Sequence, residues 1–280
     1  MKILARLFYY SYRFLNTIRF LGLNNAIKIF FISGFKKSNM FLLLFNNKFY
    51  FRPKIDTGSY NRLTKSQYLL KGTVKQPIEI IIDAGSNIGS QALRFINLNS
   101  NLKKIICIEP DFTSSELCFK NLEKYNAIIY NNALSNISNK ELIIKRTINS
   151  EMSQIIPSEE SVIESNNEHK IKTINLNDIV KNENLEKIDF IKFDINGYED
   201  EVFESNLEWL KITKCIGFNN ADINETTYKI IEKFKLSVGE INIYNVDQMI
   251  FLTRKNINWV PTKGFMSSKT IGYLEKDERY

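Results

Sequence analysis

The sequence feature that most constrains the fold is an apolar run that breaks into a glycine-containing turn. Residues 78–82 read Ile-Glu-Ile-Ile-Ile, which is typical of a strand buried on both faces of a parallel sheet. Asp83, Gly85 and Gly89 follow, and apolar residues then recur with helical spacing over 90–98. A strand, a glycine turn and a helix in this order predict a site where backbone N–H groups at a helix N-terminus meet a ligand.

Strands and helices alternate along the following residues, which predicts an α/β fold with a doubly wound, mostly parallel sheet. The predicted parallel strands are residues 78–83, 104–109, 127–130, 188–194 and 212–218. The predicted helices are 90–98, 114–125, one through 202 and 210, and 225–234. The carboxyl ends of parallel strands share one rim, where ligands bind, and this rim carries Asp83, Glu109 and Asp194.

The predicted sheet ends with an antiparallel C-terminal hairpin, formed by residues 236–244 and 248–253. Added strands are expected at 141–145 and 171–174, with a polar loop that includes 150–165 between them. We place this main domain, with a seven-stranded sheet, at residues 72–280.

Residues 1–71 are predicted to form a helix-and-hairpin extension. Residues 2–21 show the spacing of an amphipathic helix, with Phe14 and Leu15 on its apolar face. Residues 41–51 predict a β-hairpin that turns at Asn46-Asn47, because asparagine tolerates positive φ. Arginines interrupt the apolar run of the helix, so it is predicted neither to span a membrane nor to act as a signal peptide. It either packs on its own domain or lies on an anionic membrane surface.

The composition excludes several classes of site and partner. The chain has one histidine, His169, and three cysteines without metal-ligand spacing, at positions 107, 118 and 215. A Ser-His-Asp hydrolase and a multi-histidine zinc site are therefore not expected, no metal site is predicted, and His169 is expected in a loop or at a strand start. The cysteines favour a reduced, cytoplasmic protein. The net charge of +7 is mild, and nucleic acid is not the expected partner.

The spacing of the turn glycines indicates the kind of ligand. Gly85 and Gly89 form G-x-x-x-G, whereas a dinucleotide site requires G-x-G-x-x-G so that a pyrophosphate can approach the helix. Asp83 beside the turn suits a cationic group, and Glu109 can accept from two ribose hydroxyls. These features indicate a nucleoside with positive charge and no phosphate, a description that S-adenosylmethionine fits. A tight turn with an incidental glutamate is the alternative.

A second acidic position ends the strand predicted at 188–194. Asp194 is expensive to bury without a partner, so we expect it to face the ligand crevice. Glu199 follows in the next helix, and Lys192 could pair with either carboxylate or face away. The alternative role for Asp194 is that of a cap for the following helix.

Four segments together resemble the successive motifs of the FkbM-type S-adenosylmethionine-dependent methyltransferases. They are residues 81–89 (IIDAGSNIG), 108–111 (IEPD), 132–135 (NALS) and 191–199 (IKFDINGYE). Residues 173–178 (TINLND) also resemble the family segment before the fourth strand, and the similarity runs from about residue 52 to 218. The resemblance implies a Rossmann-like class I methyltransferase fold.

The resemblance also implies roles for individual residues. The loop 83–89 would hold the methionine part of S-adenosylmethionine, Glu109 the ribose, and Ala133 and Leu134 would lie by the adenine. The predicted cofactor-binding residues are Asp83, Gly85, Ser86, Asn87, Gly89, Glu109, Pro110, Ala133, Leu134 and Asp194. Asp194 would also lie near the methyl-transfer site, and we assign it as the catalytic base, with Glu199 second.

The predicted reaction is O-methylation of a sugar hydroxyl on a glycan or related metabolite. A lipid-linked glycan at the inner membrane face would suit the basic N-terminal helix. Asn196 and Asn219 stand where the family commonly has acidic residues. They leave a catalytically inactive, cofactor-binding protein of surface-polysaccharide synthesis as one alternative. A nicotinamide-dependent oxidoreductase is the other, and the glycine spacing disfavours it.

Overall fold

A sheet of seven strands, counted among the described residues, forms the centre of the computed structural model. In spatial order its strands are β13 (Ile241–Val246), β14 (Met249–Arg254), β12 (Thr213–Asn219), β11 (Ile188–Phe193), β4 (Ile80–Ala84), β5 (Lys104–Ile108) and β6 (Ala127–Tyr130). The strands from β12 to β6 are parallel, whereas β14 and β13 are antiparallel to their neighbours. The predicted fold class and the antiparallel C-terminal hairpin are confirmed.

The structure describes most of the chain, with gaps. The described residues are 11–12, 14–15, 17–19, 21–32, 40–44, 47–53, 55–56, 59, 67–145, 154–157, 168–219, 224–246, 249–259 and 261–264.

Alternating isoleucines explain why the central strands are buried on both faces. Ile81 and Ile105 belong to one apolar cluster, whereas Ile82 and Ile106 belong to another, and each is at most 1% exposed. Because successive strand residues point to opposite faces, the two clusters lie on the two sides of the sheet. Burial of this apolar surface is the main force that holds the sheet together.

Helices cover both faces of the sheet. The described helices are α1 (Leu23–Ile27), α2 (Ser90–Leu98), α3 (Phe112–Leu122), α4 (Leu176–Asn182), α5 (Glu199–Val202) and α6 (Glu225–Val238), with a π-helix at Lys28–Ile32 and a 3₁₀ helix at Glu208–Ile212. α2 has the predicted bounds. α3 begins before the predicted residue 114, because the Asp111 side chain accepts the Ser114 N–H as an N-cap.

Two of the predicted helices differ from the structure. The helix predicted through 202 and 210 is wrong, because the chain forms the short α5 and then the separate 3₁₀ helix. The helix predicted to end at 234 continues to Val238, where Gly239 with φ +86° follows it. The strand predicted to start at 236 therefore begins only at Ile241.

A smaller sheet lies after β6. Its order is β7 (Ala133–Leu134), β10 (Glu168–Ile174), β8 (Glu141–Lys145) and β9 (Gln154–Pro157). β8 has the predicted bounds, and β10 begins three residues before the predicted 171, so that His169 is a strand residue. β9 lies within the segment predicted to be a polar loop, which is a correction, and α4 was not predicted.

The N-terminal hairpin packs on the main domain. β1 (Met40–Leu44) pairs with β2 (Asn47–Phe51), and Asn47 is opposite Leu44 as a strand residue rather than in the predicted Asn46-Asn47 turn. Leu42 and Phe49 are buried in the same apolar cluster as Ile81. β3 (Gln67–Leu69) pairs with β15 (Thr262–Gly264), so the hairpin and the last strand of the predicted extension both contact the rest of the chain.

The predicted N-terminal helix lies partly outside the described residues, since its residues 2–10 are not among them. Residues 11–12, 14–15, 17–19 and 21 are helical. Leu15, predicted on the apolar face, is 63% exposed, whereas Phe14 packs edge-to-face on Phe30. Among the helices that the structure describes, none combines the length and apolarity needed to cross a bilayer.

Candidate active site

Gly85 allows the ends of β4 and β11 to meet. It has φ +75°, and a Cβ atom there would lie 2.0 Å from the carbonyl oxygen of Asp194. The Asp194 N–H donates to the Ala84 carbonyl over 3.1 Å. Because only glycine combines this φ with the absence of Cβ, the turn after β4 can pack directly against the residue that follows β11.

Asp83 and Lys192 form a buried ion pair below this turn. The Lys192 Nζ atom lies 2.8 Å from Oδ1 of Asp83, and the side chains are 1% and 0% exposed. The same Nζ lies 3.8 Å from Oδ2 of Asp194 and 3.4 Å from the Gly85 carbonyl. Lys192, whose direction the sequence left open, therefore lies between the carboxylates of two strand ends. Buried charges require such partners.

Glu109 ties the glycine turn to the end of β5. Its Oε2 accepts the Asn87 N–H over 2.8 Å, and its Oε1 accepts the Asp111 N–H over 2.9 Å. Burial raises the pKa of Glu109 to about 7, although the two backbone donors oppose this shift. Each oxygen that accepts one N–H retains capacity for a second donor.

The rest of the predicted cofactor loop is also buried. Asn87 has φ +48°, and its Oδ1 accepts from the Ser59 hydroxyl over 3.2 Å. Gly89 has φ +81°, and a Cβ there would lie 3.1 Å from the Cys118 sulfur, so the loop packs closely on α3. Ser86 is 3% exposed and accepts from the same sulfur over 3.8 Å. Ser59 is a contact that the sequence did not predict.

The predicted adenine-side residues lie just beyond β5 and β6. Ala133 and Leu134 form β7 and are 0% and 3% exposed. The Pro110 carbonyl accepts from the Asn131 amide over 3.1 Å, which links the ends of β5 and β6. His169 Nε2 lies 3.5 Å from the same carbonyl. The structure thus brings the predicted cofactor residues to one rim of the sheet.

A pocket of about 360 Å³ lies beside this rim, at the ends of β11 and β12. Its lining residues are Asp194, Asn196, Gly197, Glu199, Phe218, Asn219, Asn224, Thr226, Thr227 and Ile230. Both predicted catalytic residues and both asparagines that replace family acids therefore share one cavity. Sequence patterns did not predict that residues at the start of α6 line this pocket. Asn224 and Thr227 form a capping box, a signal that predicts a helix start and not a pocket.

Asp194 and Glu199 differ in their surroundings. Glu199 is 7% exposed, and burial, with the nearby charge of Asp194, raises its pKa. Its Oε1 accepts the Ile195 N–H over 3.3 Å. Tyr198 is the N-cap of α5, so the alternative that Asp194 caps this helix is wrong. Within the described residues, no group of three or more His, Cys, Asp or Glu is arranged to hold a metal ion.

A family model described as the methyltransferase FkbM domain matches residues 83–249. The match begins at Asp83 and ends at the first residue of β14, so it contains the entire rim and the pocket. A comparison with curated protein sequences finds no match.

Solved structures with similar folds include other methyltransferases. A methyltransferase FkbM from Methylobacillus flagellatus KT is 12% identical with a TM-score of 0.46, and the match covers 63% of this chain and 43% of that one. A putative caffeoyl-CoA O-methyltransferase from Staphylococcus aureus is 14% identical with a TM-score of 0.35, covering 63% and 76%. A putative transferase from Pyrococcus horikoshii is 13% identical with a TM-score of 0.39, covering 82% and 74%. This chain thus spans less than half of the first structure.

Proposed function

This chain belongs to the FkbM methyltransferase family, and we propose that its methyl donor is S-adenosylmethionine and its acceptor a sugar hydroxyl of a glycan or related metabolite. The observation that carries the proposal is the convergence of Glu109, the Gly85 turn and Asp194 on one rim beside a polar pocket.

The residues at this rim fit a sulfonium nucleoside. Glu109 retains acceptor capacity for a ribose hydroxyl. The Gly85 turn packs directly on the backbone of Asp194, which brings the glycine loop and the Asp194 carboxylate together at the rim. Lys192 pairs with the buried Asp83 and lies 3.8 Å from Asp194, which lines the pocket and places a second carboxylate near a positively charged ligand. This fit supports S-adenosylmethionine over a diphosphate.

The cofactor and the residues of this chain have different roles in the proposed reaction. When bound, S-adenosylmethionine supplies a methyl group on a positively charged sulfur. The protein holds the acceptor oxygen in line with that group, and such positioning provides much of the rate acceleration. Asp194 would remove the proton of the acceptor hydroxyl. Glu199 is the second candidate, because burial raises its pKa and so makes its ionised carboxylate a stronger base than that of an exposed glutamate.

The pocket supports a hydroxyl-rich acceptor. Its volume of about 360 Å³ lies near the lower end of the ~300–1,000 Å³ range of ligand pockets, which suits a small unit such as one sugar. Asn196, Asn219 and Thr226 line it, and amide and hydroxyl groups both donate and accept hydrogen bonds. A sugar attached to a lipid or to a longer glycan could extend from the pocket opening.

Two measurements test this function. Calorimetric titration should show binding of S-adenosylhomocysteine and no binding of nicotinamide cofactors. A methylation screen on free and lipid-linked glycans should then detect turnover. Binding of a nicotinamide cofactor instead would support the oxidoreductase alternative and contradict the proposal.

The variant Asp194→Asn tests the assignment of the base. We expect it to bind S-adenosylhomocysteine normally and to lose turnover by about 10²–10⁴-fold. Asp178→Asn is the matched control, because Asp178 is an exposed carboxylate on α4 that does not line the pocket. Unchanged turnover in Asp194→Asn would exclude it as the base.

An inactive, cofactor-binding protein is the second candidate function. Asn196 and Asn219 favour it, because both line the pocket where the resemblance leads us to expect acidic residues. Binding of S-adenosylhomocysteine without turnover on any glycan of the screen would support this candidate.

A further inference from the structure

The positive charge of this protein is concentrated at one end of the sequence. Residues 1–55 contain ten Lys or Arg residues and no Asp or Glu. The remaining residues contain 28 Lys or Arg and 31 Asp or Glu. The whole net charge of +7 therefore derives from the N-terminal segment, and the methyltransferase domain itself is slightly acidic.

The same segment exposes large apolar side chains on the helix formed by α1 and the π-helix that continues it. Leu23, Ile27 and Phe31 follow one another at four-residue intervals and are 54%, 37% and 58% exposed. On the other side of this helix, Ala26 and Ile29 are 0% and 5% exposed. A helix that already buries one apolar face, and carries a second one in solvent, has an unpartnered surface.

Further exposed apolar side chains adjoin this helix. Leu43 of the hairpin is 54% exposed, and its backbone N–H and carbonyl both bond to the Asn25 side chain, at 2.9 and 2.7 Å. Leu15 is 63% exposed, and the adjacent Phe14 packs against Phe31 with ring centroids 5.7 Å apart. We call this set of exposed side chains the N-terminal apolar face; it comprises Tyr12, Leu15, Leu23, Ile27, Phe31 and Leu43.

Cationic side chains border the N-terminal apolar face. The Nζ atoms of Lys28 and Lys48 lie 4.4 and 5.0 Å from the centroid of the same Phe41 ring. Lys48 is also the cross-strand partner of the exposed Leu43. Neither lysine forms an ion pair with a carboxylate of the described residues. Both positive charges lie against the Phe41 ring beside exposed apolar groups, so this region suits a partner that supplies negative charge.

We propose that the N-terminal apolar face docks this protein peripherally on a bilayer that contains anionic lipids. Aliphatic side chains enter the boundary between headgroups and acyl chains, while lysines remain at the level of the phosphates. Four of the six side chains of this face, Leu15, Leu23, Ile27 and Leu43, are aliphatic and offer no ring on which nucleic-acid bases could stack, which favours a lipid over a nucleic acid. A second copy of the chain would bring two strongly basic segments together. This proposal does not depend on the identity of the methyl acceptor.

Cosedimentation of the full-length protein with vesicles tests the proposal. We expect binding to phosphatidylcholine vesicles that contain about 30% phosphatidylglycerol, and at least tenfold weaker binding to phosphatidylcholine alone. Raising the salt concentration from about 0.1 M to about 0.5 M should weaken binding to the anionic vesicles, since it screens the lysines.

Two matched pairs of variants separate the apolar and the charged contributions. Leu15→Gln/Leu23→Gln and Lys28→Gln/Lys48→Gln should each weaken binding about tenfold or more. Tyr228→Gln/Leu236→Gln and Lys235→Gln/Lys255→Gln alter exposed residues of the same kinds outside the N-terminal segment, and these variants should bind as the wild type does. Circular dichroism melting curves confirm that each variant is folded.

Several results would overturn the proposal. Equal sedimentation with and without phosphatidylglycerol, or wild-type binding by both N-terminal variants, would show that this face does not bind anionic lipid. Absence of vesicle binding together with a dimer in sedimentation velocity that Leu15→Gln/Leu23→Gln dissociates would identify an interface between copies. Displacement from vesicles by a single-stranded oligonucleotide would point to nucleic acid.

Discussion

The two halves of the rim are built differently. At the ends of β4 and β5, Asp83 and Glu109 are buried and bonded within the protein, by Lys192 and by two backbone N–H groups. At the ends of β11 and β12, Asn196 and Asn219 are exposed and line an open pocket. Changes in the first half should therefore lower stability as well as cofactor binding, whereas changes in the second half should alter activity with little effect on stability.

Removal of the buried lysine should have the largest effect. Lys192→Met leaves the Asp83 carboxylate without its cation, and we expect the free energy of unfolding to fall by about 3–5 kcal/mol. The control is Lys170→Met, which breaks the exposed pair with Glu141 and should change stability by about 1 kcal/mol or less. Denaturant titration measures both.

A double variant provides the check on this explanation. Asp83→Asn/Lys192→Met removes the buried charge as well, so it should recover part of the lost stability. If it is no more stable than Lys192→Met, the ion pair is not the cause of the loss.

The turn glycines allow a direct comparison of the two halves. Gly85 and Gly197 both have positive φ, at +75° and +87°, but only a Cβ at Gly85 would strike a neighbour. We expect Gly85→Ala to destabilise by about 3 kcal/mol and Gly197→Ala by about 1 kcal/mol, the cost of the strained φ alone. Equal losses in denaturant titrations would contradict the close packing of β4 on Asp194.

Stability should depend on pH through Glu109. The pKa of Glu109 is raised to about 7 in the folded protein. The stability that protonated Glu109 contributes is therefore fully present below the pKa that this residue has in the unfolded chain, and it is lost as the pH rises toward 7. Relative to Glu109→Gln, the wild type should lose about 2 kcal/mol of stability between about pH 5 and 7. Unfolding curves of both proteins across this range measure the difference, and parallel curves would show that Glu109 titrates normally.

Replacement of Asn196, which lines the pocket, by aspartate should have the smallest effect on stability. Asn196 is exposed with φ +56°, a conformation that aspartate tolerates, so Asn196→Asp should change the free energy of unfolding by no more than about 0.5 kcal/mol. The added charge should raise the pKa of Glu199 further and shift the pH–rate profile. A large loss of stability would show that this half is as tightly packed as the other.

Local sequence patterns predicted the strands of the central sheet, but they predicted the hairpin turn, the end of α6 and β9 less well. Runs such as residues 78–82 identify buried strands, because few other structures bury so many β-branched residues. Asn47 was assigned to the hairpin turn, but it is a strand residue that pairs with Leu44. α6 was cut short because Leu236 was taken as a strand residue, although it is an exposed helix residue. β9 was missed because two isoleucines in a polar segment are a weak signal.

The candidate site was predictable where it depends on strand ends. The positions of Asp83, Glu109 and Asp194 follow from the rule that ligands bind at the carboxyl ends of parallel strands. The direction of Lys192 was not predictable, because it is set by contacts between residues 109 positions apart in the sequence. The contribution of α6 to the pocket was not predictable either, because it also depends on residues that are distant in the sequence.

The position of β4 in the sheet has a consequence for synthesis of the chain. β4 pairs with β5 on one side, which follows closely in the sequence, but with β11 on the other, beyond residues 85–187. While a ribosome produces those residues, one side of an almost wholly apolar strand has no partner. Unpaired strand edges of this kind promote aggregation of nascent chains. Expression yield should therefore depend on translation speed and chaperone supply over this interval.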